Sequence, residues 1–440
     1  MIYHFIGIKG SGMSALATIM KELGYDVQGS DVDKYFFTQV ELEKHNINLL
    51  TFNKENIKDN MIIIRGTTFN ESNNEEVKKA QELNLEMYTY NEMVGKLTNK
   101  FKTICICGCH GKTTTSAMLS HVLCNTIHTN YLIGDGTGYA NKNNDYFVLE
   151  SCEYQRHFLS YNPYYVIITN IDIDHVDYFK DINDVINAYQ EFSNKSQKIV
   201  LACGDNENTK KLKLNKEIIY YGINEDNDIR ATNIKYKETG ISFDVLIKNK
   251  YIDSFDLPIF GEHNLLNTLA VIGICYFEKI NIEEIKKYLS NFKGAKRRFN
   301  IININKSVII DDYAHHPNEV KATINAVKQK YPNKKIIVIF EPHTYSRTKE
   351  FKNEFIKIFN EVDESYIMDI HGARENKEDF KNITSDIIIN KLKNGHHINI
   401  DEAYKLSKYE NSVFLFMSPN DISKLEEDLK KLLIHNWLII

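Results

Sequence analysis

The chain is short of most features that would place it in a special class. Proline is scarce, at six in 440 residues, and tryptophan occurs once. That excludes proline-rich, collagen-like and other low-complexity organisation. There is no run of about 18 apolar residues, so no membrane insertion is expected. A basic surplus is missing too: 54 Lys and Arg stand against 59 Asp and Glu, a net charge of −5. Nucleic-acid binders usually carry a positive excess, so no nucleic-acid partner is expected. Met1–Phe5 lacks a basic stretch and a cleavage site, which points to a cytoplasmic protein without a signal peptide. The seven cysteines (Cys105, Cys107, Cys109, Cys124, Cys152, Cys203 and Cys275) offer no paired CxxC at metal spacing. They read as reduced thiols packed as small hydrophobes.

What is present reads as a globular α/β chain. Hydrophobic residues make up 42% and charged residues 26%, which is ordinary for a folded protein. At roughly 150 residues per domain, the length suggests about three domains. The polar stretch Leu97–Lys100 and the basic run Lys293–Arg298 divide the chain into residues 1–98, 99–297 and 298–440. Each part alternates short apolar runs with helical spacing, the pattern of βαβ units around a parallel sheet. Strands are expected at Ile2–Ile8, Thr103–Cys107, Tyr146–Leu149, Val166–Thr169, Val308–Ile310, Ile336–Phe340 and Val413–Met417. Helices are expected at Ser14–Leu23, His263–Phe277, Pro317–Gln329, Thr348–Phe359, Ser385–Leu392 and Asp421–Leu433. A β-rich insertion is expected over Ile229–Phe255, where the alternation is strong. Gly273, inside a helical pattern, weakens the helix around it.

The sharpest local signal is Gly108-Cys109-His110-Gly111-Lys112-Thr113-Thr114-Thr115, which follows a strand and opens a helix. Glycines let backbone N–H groups approach phosphate oxygens, and a helix N-terminus adds partial positive charge. Lys112 is placed to reach β and γ phosphates, and Thr113 to set its hydroxyl on Mg²⁺. The first glycine stands four positions before the lysine instead of six, so the loop is a shortened variant. Gly7, Gly10 and Gly12 form a second glycine turn, with Asp31 about 20 residues later. That is the layout of a diphosphate site with an acid on a sugar hydroxyl. Glu150 ends one strand, and Asn170–Asp177 follows another. Oxygen ligands at strand ends suit Mg²⁺ on a nucleotide. Glu150 and His175 stand out there, while Asp172, Asp174 and Asp177 read as capping or loop acids. Later, Lys296-Arg297-Arg298 lies at the second boundary, and Asp311–Pro317 and Phe340–Arg347 are polar, His-bearing loops at strand ends.

Taken together, these pieces resemble the Mur ligases, the ATP-dependent amide ligases of peptidoglycan synthesis. The matching runs are His4–Ser14, Gly29-Ser30-Asp31, the phosphate loop, Glu150–Phe158, Thr169–His175, Gly261–Asn267, Arg297-Arg298-Phe299, Asp312–Pro317, Pro342–Thr348 and Gly372–Glu375. They occur in the family's order from about residue 4 to 375. The resemblance implies three domains, each a largely parallel sheet with flanking helices. The first is Rossmann-like and binds the UDP-sugar, the second is a P-loop ATPase, and the third is Rossmann-like and binds the amino acid. It implies ATP and Mg²⁺ as cofactors, and the joining of L-alanine to the carboxylate of UDP-N-acetylmuramate through an acyl phosphate.

Roles then follow residue by residue from the resemblance. Gly7, Gly10, Ser11, Gly12, Met13 and Asp31 would hold the uridine diphosphate. Gly108, Cys109, His110, Gly111, Lys112, Thr113 and Thr114 would cradle the ATP phosphates, with Lys112 stabilising the transferring group. Thr113 and Glu150 would bind one Mg²⁺ and His175 a second. Asn264 and Asn267 would contact the nucleotide, and Asp312 the ATP ribose. Arg298 would serve the phosphates, with Arg297 as its alternative. His315, His316, His343 and Arg347 would line the amino-acid and muramoyl end. Two departures stand out: Cys109 where the family commonly has Thr, and Ser418-Pro419-Asn420-Asp421 where a Gly-Ala-Gly-Asp motif is expected. Three other readings remain. A recycling ligase would add a peptide to the same sugar nucleotide. A dehydrogenase would explain only the first βαβ unit. A nucleotide-binding regulator would have lost ligation. The sequence leaves the oligomeric state open.

Overall fold

The computed structural model describes residues 1–176, 178–373 and 375–435. Asp177, Arg374 and the apolar Trp437–Ile440 tail lie outside the described residues. The chain is α/β, and its described residues build three sheets of five, ten and six strands.

The first sheet is fully parallel. Its central strand Ile2–Ile6 pairs with Asp26–Asp31 on one side and Met61–Arg65 on the other. Asn48–Thr51 and Met87–Thr89 form its edges. Adjacent strands on either side of Ile2–Ile6 connect in opposite directions, so a crevice opens beyond its carboxyl end, where the first glycine turn lies. The helix Ser11–Glu22 starts three residues earlier than the apolar spacing alone suggests.

In the second sheet Lys102–Cys107 lies between Tyr146–Glu150 and Tyr165–Ile168, all parallel. Its three outer strands, Ile229–Lys237, Gly240–Ile247 and Lys250–Leu257, make up the expected β-rich insertion. The third sheet centres on the buried strand Ser412–Met417, between Ser307–Asp312 and Lys335–Phe340. Its edge strand Asn300–Ile304 is antiparallel to Ser307–Asp312, a hairpin absent from the sequence reading.

Two helices differ from expectation. Thr348–Phe359 is two short helices, Tyr345–Glu350 and Lys352–Phe359, separated at Phe351. The Ser385–Leu392 pattern gives only Asp386–Ile389. At Gly273, within Glu262–Phe277, a Cβ would come 2.8 Å from Ile229 and 3.1 Å from Leu201. The glycine lets that helix lie close on the sheet, and this outweighs its poor helix propensity.

The chain divides into two compact units. One comprises Met1–Thr232, Val245–Asp253 and Leu266–Phe292; the other comprises Asn233–Asp244, Ser254–Leu265 and Lys293–Ile440. In the first unit a continuous core runs from Phe5, Leu16 and Met20 to Cys105, Leu149 and Phe192. In the second, two cores flank the sheet, one around Ile310, Phe340 and Leu415, the other around Ile309, Phe414 and Leu425. All seven cysteines are thiols outside any disulfide, five of them buried. No helix among the described residues is long and apolar enough to cross a membrane.

Candidate functional site

In the first unit the phosphate loop is built by close backbone approach. Gly108 (φ 139°) and Gly111 (φ 81°) adopt backbone conformations that side chains rarely take. A Cβ at Gly108 would overlap the Thr169 hydroxyl, and one at Gly111 would lie 2.7 Å from Asn267 Oδ1. Asn170 pins the loop from both sides: its Oδ1 accepts from His110 N at 3.0 Å, and its Nδ2 donates to the His110 carbonyl at 2.9 Å. The thiol of Cys109 donates to the Asp172 carbonyl at 3.1 Å and accepts from Asp172 N at 3.2 Å. Burial pushes that thiol well up, so it stays protonated and able to donate. A Cys in a Thr position therefore still ties the loop to its neighbour. The helix Lys112–Cys124 begins at Gly111 without a side-chain cap and without an acid in its first turn. Its first-turn N–H groups and the positive dipole end therefore suit an anion.

Around this loop the charged side chains converge. Lys112 Nζ lies 2.8 and 3.0 Å from the two oxygens of Glu153 and also donates to the Gly108 carbonyl. Burial, the largest single influence, would lower its pKa, but the Glu153 charge and hydrogen bond together with the nearby Cys152 and Cys109 raise it overall and hold the ammonium protonated. Thr113 donates to Glu150 Oε1 at 3.1 Å, while Glu150 Oε2 accepts from Gly134 N at 2.7 Å. A hydroxyl and a carboxylate side by side at a helix N-terminus form a hard-oxygen set that fits Mg²⁺. His175, in a left-handed backbone (φ 51°), places Nε2 3.8 Å from Glu153 Oε1 and its ring 4.7 Å from Tyr154. Thr114 sits half-buried in the first helical turn, and Asn267 is buried against Gly111. Asp172 and Asp174 turn back on their own segment, accepting from Ile173 N and His175 N at 2.8 and 2.7 Å.

The N-terminal glycine turn belongs to the same unit. Gly7 N and Ile8 N donate to the Ser30 carbonyl at 2.9 and 3.1 Å. Gly10 precedes the helix, and a Cβ at Gly12 would press on the Tyr90 ring at 3.0 Å. Ser11 stands at the helix start with no acid in that turn, and Met13 is buried. The two oxygens of Asp31 accept from Lys9 N at 2.7 Å and Val32 N at 2.8 Å. Asp31 thus holds the turn's own backbone, a role that the sugar-hydroxyl reading left out.

The second unit carries the other residues. Asp312 accepts from Phe299 N at 2.8 Å and Ala314 N at 2.9 Å, and burial raises its pKa despite the Arg298 charge. The Arg298 guanidinium lies 4.7 Å from the Tyr313 ring centre, whereas Arg297 is committed to Asp311 at 3.2 Å and the Ser418 carbonyl at 2.9 Å. The His343 ring contacts those of His315 and His371, with ring centres 5.5 and 5.8 Å away, and Arg347 reaches His343 Nδ1 at 3.1 Å. His316 is buried, caps the helix Pro317–Lys330 and packs edge-on against Phe351. Asn264 donates to the Phe260 carbonyl at 2.9 Å. The Ser418–Asp421 loop needs no glycine. Glu341 Oε2 accepts from Ser418 Oγ at 2.6 Å and Asn420 Nδ2 at 2.7 Å, and no residue there has positive φ.

Residues 2–102 match the Mur ligase family catalytic domain, 106–275 the Mur ligase middle domain, and 297–418 the Mur ligase glutamate ligase domain. The chain belongs to the Mur ligase family. Its members are ATP-dependent ligases of peptidoglycan synthesis. The chain is similar to the crystal structure of UDP-N-acetylmuramate–alanine ligase MurC from Thermotoga maritima, at 25% identity and TM-score 0.79, covering 98% of this chain and 99% of that one. It has the fold of a murein peptide ligase from Psychrobacter arcticus, at 20% identity and TM-score 0.71, with 99% of each chain covered. It also has the fold of MurF from Thermotoga maritima in complex with ADP, at 16% identity and TM-score 0.65, covering 88% of this chain and 98% of that one.

Sequence reasoning assigned no role to Glu153 or Asn170, although both lie in quoted motifs. The signal available was spacing. A second acid three residues beyond a strand-end carboxylate, and an Asn immediately after a strand, both sit where open parallel sheets place their sites.

Proposed function

We propose that this Mur ligase joins L-alanine to the carboxylate of UDP-N-acetylmuramate, with ATP and Mg²⁺, giving ADP and phosphate. The observation that carries the reading is the grouping of Lys112, Thr113, Glu150 and His175 around one phosphate loop. Full-length likeness to an alanine-adding ligase supports the choice of alanine. The reading keeps the three-domain division at 1–98, 99–297 and 298–440 and a cytoplasmic location.

A carboxylate is a poor acyl donor. Its oxygen attacks the γ phosphorus of ATP, ADP leaves, and an acyl phosphate forms. The loop amides and Lys112 would offset charge on the transferring group. Thr113 and Glu150 would hold one Mg²⁺ and His175 a second; bound metal neutralises phosphate charge and orients the oxygens. The free amine of alanine then attacks the acyl carbon, and the tetrahedral intermediate expels phosphate while the nitrogen gives up one proton, leaving the amide N–H. The glycine turn at Gly7–Gly12 would bind the uridine diphosphate, with Asp31 keeping that turn in shape. Asn264, Asn267, Asp312 and Arg298 are assigned to the nucleotide. His315, His343 and Arg347 are assigned to the amino acid, with His316 supporting them as a helix cap.

The test is phosphate release from ATP and Mg²⁺ with UDP-N-acetylmuramate, with and without L-alanine. Release that needs both, with a product heavier by one alanyl residue, is expected. Activity with a tripeptide but not alanine makes the chain a recycling ligase. ATP binding that no amine turns into phosphate release makes it a regulator.

A further inference from the structure

Glu153 is nearly fully buried, at 2% exposure, and its carboxyl group lies beside the phosphate loop on Lys112. A buried carboxylate is tolerated only when paired and hydrogen-bonded. Here its partner is Lys112, at 2.8 and 3.0 Å, and its Oε1 also faces His175 Nε2 at 3.8 Å. The carboxylate is held in place by its backbone. Ser151 N donates to the Ile106 carbonyl at 2.8 Å, Arg156 N to the Glu153 carbonyl at 2.9 Å and Phe158 N to the Cys152 carbonyl at 3.1 Å. Gln155 (φ 49°) and Arg156 (φ 57°) are successive left-handed residues that begin two positions after it. Such strain persists only where the surroundings impose it. The Arg156 side chain anchors this turn on Asp184 at 2.6 Å.

The hydrogen bonds of Lys112 run to Glu153 and to the loop's own carbonyls at Gly108 and Cys109. A triphosphate entering the loop brings negative charge next to Glu153 and competes with it for the same ammonium.

We propose that Glu153 is a positioning residue that holds Lys112 back against the loop until a triphosphate draws it away, so that it weakens resting nucleotide affinity and keeps the lysine aligned for transfer. The inference rests on the ATP-ligase reading. While Lys112 stays on Glu153, its charge is already compensated and nucleotide gains little from it. When phosphate takes the ammonium, Glu153 remains facing His175. The opposing effects on binding and turnover follow from one geometry. Removing the carboxylate charge removes both the competitor for Lys112 and a repulsion toward the nucleotide. It also removes the guide that sets where the ammonium lies.

The experiment is calorimetric titration of MgATP into the full chain, beside steady-state turnover, for wild type and Glu153→Gln. E153Q is expected to bind MgATP roughly tenfold tighter, while kcat falls at least about tenfold through lost alignment. A purely structural role would not tighten binding while slowing turnover. Should Gln cost the fold, seen as a lost melting transition, Glu153→Asp carries the test. It keeps the charge but shortens the reach, and the same opposed changes are expected at about threefold. MgATP affinity that is unchanged or weaker in the folded variant overturns the proposal. Wild-type protein that binds no MgATP overturns the ATP reading itself, and this inference with it.

Discussion

Asn170 shows how much of a phosphate loop is decided by a residue outside it. Its amide grips His110 by both the N–H and the carbonyl, the two groups on either side of one peptide turn. Without it, Gly108 and Gly111 would still permit the loop, but His110 would lose two of the hydrogen bonds that select its conformation. Asn170→Ala is expected to lower kcat/KM for ATP by roughly tenfold or more, through lost positioning. Its effect on thermal unfolding is expected to be small, because two hydrogen bonds are lost and no apolar core side chain is touched. Steady-state kinetics with varied ATP, beside a melting curve, checks both. At this scale the residues with motif chemistry were legible: Lys112, Thr113, Glu150 and His175 do lie around one loop. Asn170 and Glu153 were not, because their work is to hold other residues, and holding leaves no composition signature. The choice between Arg297 and Arg298 was also open in sequence. Arg297 is spent on Asp311 and the Ser418 carbonyl, and Arg298 lies over Tyr313.

Elements are positioned by buried polar contacts as much as by apolar faces. Glu76, in the first turn of the helix Glu75–Glu82, is fully buried under the first sheet. It accepts from Asn56 Nδ2 at 2.7 Å, Asn53 N at 3.1 Å and the Ser30 hydroxyl, and lies 3.4 Å from His4 Nε2. Burial would raise its pKa, but the hydrogen bonds from His4, Ser30 and Asn53 outweigh it, and the folded value falls below the ordinary 4.5. A depressed acid stabilises the fold above its unfolded pKa and loses that contribution as pH falls through its folded pKa. Glu76→Gln is therefore expected to cost about 2 kcal/mol near neutral pH. The difference from wild type is expected to narrow below about pH 4. Urea unfolding of both proteins at the two pH values checks this; a pH-independent gap would remove the charge from the explanation. Helical periodicity located most helices, yet it merged two at Phe351 and overran the Asp386–Ile389 turn. Apolar spacing reports which face is buried and says nothing of where the backbone bends.

For the whole molecule, the two compact units cut through the middle of the β-rich insertion, which no sequence boundary suggested. In the second unit, Gln329 joins two backbone segments, the turn between Ile229–Lys237 and Gly240–Ile247 and the stretch at Gly261. Its Oε1 accepts from Gly261 N at 2.8 Å, and its Nε2 donates to the Lys237 and Gly240 carbonyls at 3.0 and 3.1 Å. Gln329→Ala would leave those groups without that partner, at about 2–3 kcal/mol. A lower melting temperature and faster hydrogen exchange at the Gly261 amide are expected. Exchange unchanged at Gly261 would show that the contact does not hold the segment.

By itself the sequence determined the fold class, the largely parallel character of the sheets and the family. Alternating apolar runs, glycine turns and strand-end polar residues are local, and local patterns survive reading in one dimension. Tertiary structure alone decided which groups neutralise one another. The pairing of Lys112 with Glu153, the grip of Asn170 on His110 and the burial of Glu76 under Ser30 each join residues 41, 60 and 46 positions apart. Such pairings depend on the register between strands, and register is settled only when the sheet forms.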